Sequence, residues 1–156
     1  MHEVDEKWMR QAIEMARDAA EIGEVPVGAI IIDSNGGVLA AASNLTIKNT
    51  DPTAHAELIA LREASRRLGS WRLEEATVVV TLEPCAMCAS ALVQARVKRV
   101  VYAASEPKTG AHQSVHRFFE GTATEVVQDE ASAPRSAELL ASFFQKLRER
   151  EGGENA

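Results

Sequence analysis

Residues 77–81 read Thr-Val-Val-Val-Thr. Side chains branched at Cβ are stiff and pack well on a pleated surface, so the run predicts a strand. It shows no polar alternation, so both faces of that strand need cover. Val27–Ile32 is a second unbroken apolar run and predicts another buried strand. Helices supply the cover. Trp8, Met9, Ala12, Ile13, Met15, Ala16, Ala19 and Ala20 recur at helical spacing from Asp5 to Ile22, and Gly23 follows as a stop.

The remaining elements alternate. Asp33–Gly37 is a turn cluster and Val38–Ala42 returns as a strand, which makes a hairpin. A polar loop from Ser43 to Thr53 leads to a helix over Ala54–Leu68, with Leu58, Ile59, Leu61, Ala64 and Leu68 inward and Gly69 ending it. Thr53, or Asp51 with Pro52 at the first helical position, is the expected cap. Helix Cys85–Ala95, strand Val97–Ala103, loop Ser105–Ser114, short helix Val115–Phe119 and strand Thr124–Val127 follow. Pro134–Arg150 closes the series as an amphipathic helix with Leu139, Leu140, Phe143, Phe144 and Leu147 inward. The pattern predicts a three-layer α/β/α sandwich, one domain over residues 1–150, and a frayed, disordered polar tail over 151–156.

Composition removes several classes. At 156 residues with 46% hydrophobic content, the chain can bury a core without disulfides. No apolar run approaches the roughly 18 residues of a membrane span. The first residues, MHEVDEKWMR, are polar and acidic, unlike a signal peptide. The expected location is therefore the cytoplasm, with no membrane partner. Seventeen Lys and Arg stand against 23 Asp and Glu, a net charge of −6, which is unusual for a nucleic-acid binder. The balance is uneven: Arg96, Lys98, Arg99, Lys108 and Arg117 face only Glu106 between residues 96 and 117.

The two cysteines, Cys85 and Cys88, form a C-x-x-C pair, and His55-Ala56-Glu57 lies upstream. Three positions apart on a helix, both sulfurs reach one ion. Helix N-termini favour thiolates. With His55 they make three donors, and a tetrahedral zinc ion so held keeps one position for water, the pattern of a catalytic site. Glu57 is placed to lean over that position as general acid and base. Alternatives remain: a redox dithiol, a closed structural zinc site completed by His112 or His116, or, for Glu57, a surface residue favoured only by the helix dipole. Trp8, Trp71 and Met87 read as core or dimer-packing residues.

At these residues the chain resembles the bacterial tRNA adenosine deaminases of the cytidine deaminase superfamily, whose zinc signature is H-x-E with P-C-x-x-C. The matching stretches are Glu24–Ala29, Asp51–Glu57, Gly69–Leu73, Thr81–Cys88 and Lys108–Ala111, within a likeness from about Trp8 to Arg148. The resemblance implies a five-stranded mixed sheet, a homodimer, and conversion of adenosine to inosine at the wobble position of a tRNA anticodon stem-loop. One zinc ion would be held by His55, Cys85 and Cys88, with Glu57 moving the protons. Asn44 and the Ala56 amide would meet the base, Glu106 and Lys108 the flanking nucleotides, and Phe143, Phe144 and Arg148 the RNA near the last helix.

Departures fall in the substrate-facing loops and spare the metal motifs: Leu45 where arginine is common, Glu106 where aspartate is, and His112-Gln113 where small residues are. They keep a free-base deaminase acting on guanine or cytosine in view. A non-catalytic zinc-binding interaction module is the rival of another class.

Overall fold

The computed structural model describes residues 3–154. In chain order the elements are α1 (Glu3–Glu21), β1 (Gly28–Ile32), β2 (Val38–Ser43), α2 (Ala56–Leu68), β3 (Thr77–Leu82), α3 (Ala86–Gln94), β4 (Arg99–Ala104), β5 (Glu125–Gln128) and α4 (Ala133–Glu154). The strands form one sheet in the order β2-β1-β3-β4-β5. β1 runs antiparallel to β2 and β3, whereas β3, β4 and β5 are parallel, so the sheet is mixed as expected.

The valine run is central and dry. Val78, Val79 and Val80 have no exposed surface. Alternation along the strands sends Val78, Val80, Val100 and Tyr102 to one core, shared with Ala60, Leu61 and Ala64 of α2 and Ala89 and Leu92 of α3. Val79, Val101 and Ala103 face a second core, with Trp8, Met9, Ala12 and Ile13 of α1 and, at its margin, Leu139 of α4. Three layers result, helices on both faces.

Two contacts fix α1. Asp5 makes a bidentate pair with Arg99, at 2.9 and 2.7 Å, from a nearly buried position. Gly28 lets β1 approach the helix: a Cβ there would stand 2.2 Å from the Ala12 carbonyl oxygen.

Some expected boundaries move. No helix forms over Val115–Phe119. Its amides are spent elsewhere: Val115 and His116 donate to the Gly110 carbonyl and Phe118 to that of Ala111. The 20-residue connection between the parallel strands β4 and β5 is therefore irregular throughout, although such crossovers are usually helical. The helix expected to end at Arg150 continues to Glu154, so the polar tail begins as helix; Asn155 and Ala156 lie outside the described residues. On α4, Phe143 is half-buried and Phe144 exposed, because the helix presents only a narrow stripe to α1, β3 and β4. Leu68, Trp71 and Met87 are likewise exposed while Trp8 is core.

The Gly28 contact is with backbone, which no side-chain rotation relieves. Gly28→Ala is expected to lower stability by about 2 kcal/mol, read as a reduced urea midpoint at unchanged m-value.

Candidate metal centre and substrate cavity

The metal donors sit where two helices begin. His55 is the N-cap of α2 and Cys85 the N-cap of α3, both with extended backbone, and neither side chain caps its helix. The imidazole and the thiol are thus left for other partners. The cap expected at Thr53 lies two residues early. Asp51 instead accepts hydrogen bonds from the Thr53 N–H and hydroxyl, at 2.8 and 2.7 Å, and closes a turn ahead of the helix. Pro84 ends the run out of β3, and Cys88 follows Cys85 on the first turn of α3.

His55 Nδ1 stands 3.6 Å from Cys85 Sγ and 3.4 Å from Cys88 Sγ. A tetrahedral zinc ion with Zn–S of about 2.3 Å and Zn–N of about 2.0 Å would separate nitrogen from sulfur by about 3.5 Å. All three donor atoms lie within 4.8 Å of one another, so the residues fit the ion. Among the described residues no other set of three donors gathers this way, and neither His112 nor His116 joins this one. Among the described residues a closed structural site therefore lacks its fourth protein ligand.

The electrostatics favour a cation. A hydrogen bond from the Cys88 thiol, reinforced by one with His55, holds Cys85 down at about 4. The same Cys85 contact, together with burial, pushes the Cys88 thiol up. The bond to Cys85 raises His55. Two adjacent sulfurs resist a double negative charge unless a positive ion shares it. Glu57 is 4% exposed, and desolvation raises its pKa.

A cavity of about 220 Å³ opens beside these groups, lined by His55, Glu57, Cys85, Asn44, Glu106 and Thr109 among others. A larger one, about 590 Å³, lies by Asp33, Leu68 and Arg72, away from the metal donors. Of the residues read from sequence as substrate contacts, Asn44 and Glu106 line the metal-side cavity. Ala56 is buried behind Asn44: its N–H donates to Asn44 Oδ1 at 3.3 Å and is not presented to the cavity. Lys108 is exposed beyond the lining, its N–H on Glu106 Oε1. Phe144 and Arg148 lie on α4, which packs with α1, β3 and β4, and neither lines the cavity.

Two buried acids were not anticipated. Glu24 accepts from the Thr46 hydroxyl and the Ile47 and Lys48 amides, holding the loop that carries Asn44. Glu83 accepts from amides of the β4–β5 connection. The only trace in the sequence is an acid beside a proline motif, Glu24-Val25-Pro26 and Glu83-Pro84.

One histidine and two cysteines at the starts of α2 and α3 fit a three-donor zinc site. Residues 2–104 match the family model described as the cytidine and deoxycytidylate deaminase zinc-binding region, and the chain belongs to that family. It is 44% identical over 99% of its length to a tRNA-specific adenosine deaminase of Haemophilus influenzae, covering 91% of that protein. A tRNA-specific adenosine deaminase of Bacillus subtilis is 40% identical, covering 94% of this chain and 92% of its own. A solved structure from work on A-to-I editing by tRNA:A34 deaminases superimposes with a TM-score of 0.80 at 43% identity. That match covers 86% of this chain and 99% of the other.

Elemental analysis of the purified protein is expected to find one zinc per chain. Cys88→Ala, which removes a fully buried donor, should reduce that to a small fraction.

Proposed function

We propose that the chain is a hydrolytic deaminase of tRNA that converts adenosine to inosine at the anticodon wobble position. The observation that carries the reading is near full-length identity above 40% to proteins named tRNA-specific adenosine deaminase, joined to a metal-side cavity that holds a buried glutamate. The reaction consumes water and releases ammonia. His55, Cys85 and Cys88 would hold zinc, which when bound acidifies water and polarises the reacting centre. Glu57 takes a proton from the attacking water and gives it to N1 of the purine ring, then carries the proton of the new C6 hydroxyl to the amine, which departs as ammonia and leaves the C6 carbonyl of inosine. Its burial keeps bulk water from competing for that proton.

Asn44 and Glu106, both in the cavity lining, contact the base and its surroundings, and exposed Lys108 meets a phosphate outside the mouth. Recognition of one splayed base in a pocket asks for few phosphate contacts, which accommodates the acidic total. A homodimer fits the exposed apolar side chains of Leu68, Trp71 and Met87, on or beside α2 and α3. Among the described residues no helix is long and apolar enough to cross a membrane. The paired free thiols suit a reducing compartment, which supports the cytoplasm.

Ammonia release is expected from an anticodon stem-loop bearing wobble adenosine and not from free guanine, cytosine or adenosine. Turnover of a free base with an inert RNA would overturn the substrate. Glu57→Gln should keep its zinc and lose activity by at least about 100-fold, whereas a non-catalytic module would show no turnover even in the wild type. Light scattering on the eluting protein should give twice the chain mass.

A further inference from the structure

Glu83 lies between the last residue of β3 and the ligand Cys85, and it is 2% exposed. Its N–H donates to the Ala104 carbonyl at 2.8 Å, which ties the residue to the end of β4. Five donors converge on its two carboxylate oxygens. Oε1 accepts from the Glu106 N–H at 3.1 Å and from the Ser114 hydroxyl. Oε2 accepts from the N–H groups of His112, Gln113 and Ser114, at 3.0, 3.2 and 3.1 Å. Burial would raise the pKa of this acid, but the bonds from Ser114, Glu106 and Gln113 outweigh it and hold the group below the ordinary carboxylate value.

The loop so gripped is one wall of the cavity, through Glu106 and Thr109. It is also stitched to the metal side: Gly110 bridges to Cys85, and the Ala111 N–H donates to the Pro84 carbonyl at 2.8 Å. Gly110 leaves room for the grip, since a Cβ there would fall 2.4 Å from the Glu83 carboxyl carbon. No helix or strand braces residues 105–109 and 111–124. A 20-residue connection without regular structure needs some other restraint, and a buried anion reading successive amides supplies it.

We propose that Glu83 is a positioning residue that sets the distance between the metal ligand Cys85 and the substrate-facing wall at Glu106 and Thr109. The inference rests on reading the cavity as the site of tRNA deamination. A glutamine at this position has one acceptor oxygen, and its amide N–H groups would confront N–H donors, so the wall loses its anchor while His55, Glu57, Cys85 and Cys88 stay in place.

The test compares zinc-loaded wild type, Glu83→Gln, Gly110→Ala and the milder Ser114→Ala. KM for the RNA stem-loop is expected to rise about tenfold or more in Glu83→Gln, with kcat reduced far less and zinc still stoichiometric. Gly110→Ala should reproduce this split, and Ser114→Ala should show it in weaker form. Hydrogen exchange supplies a readout independent of turnover: the amides of Glu106, His112, Gln113 and Ser114 should exchange faster in Glu83→Gln, while those of α2 and α3 do not change. Wild-type KM with unchanged exchange at those amides would overturn the proposal. So would uniform loss of protection with loss of zinc, which marks a general structural role; if Glu83→Gln fails to fold, Ser114→Ala with wild-type KM and exchange would do the same. Should the wild type not act on the RNA, the functional reading falls by itself, and the exchange pattern alone decides whether Glu83 holds the wall.

Discussion

An ion in tetrahedral coordination fixes the spacing of its donors to a few tenths of an ångström, and here those donors come from two helices. His55 and Cys85 are 30 positions apart in the chain. What brings them together is β1. Ala29 pairs with Ala42 on one side and with Val80 on the other. From Ala42 the chain leads to Asn44 and the start of α2; from Val80 it leads to Pro84 and the start of α3. A slip of one residue on either side of β1 would exchange side chains between the two cores and shift one helix start against the other, so the packing that fixes the sheet register fixes the metal geometry.

The fold was legible where burial is one-sided or total. The valine run of β3, the hairpin and the apolar stripe of α1 all specify their elements through period and composition. Gly69 ends α2 with a left-handed φ of 65°, and the Gly69 and Ser70 amides close the helix, as a glycine stop predicts. The misreadings share a cause. Val115–Phe119 has the apolar content of a short helix, but its amides bond to the carbonyls of Gly110 and Ala111 earlier in the same loop, a pairing that its composition does not reveal. Leu68 and Phe144 have inward spacing, yet their helices meet the sheet along stripes too narrow to cover them.

The metal site was legible because its chemistry demands particular side chains at short spacing: a histidine, then two cysteines one helical turn apart. The substrate side was less so. Asn44 and Glu106 reach the cavity through loops whose paths depend on Glu24 and Glu83, and a glutamate in a sequence carries no mark of being buried. Ala56 shows the same limit: its amide belongs to Asn44 because the end of β2 and the start of α2 lie side by side, a relation no local pattern encodes.

Both buried acids address main-chain N–H groups and so are indifferent to the side chains mounted there. Ile47, Lys48 and Gln113 are exposed, yet each lends its amide to one of those carboxylates. Identity at such positions is free to drift without loosening the loops. A lineage of such enzymes could thus retune which nucleic acid it greets, one outward residue at a time, over a reactive centre that never shifts.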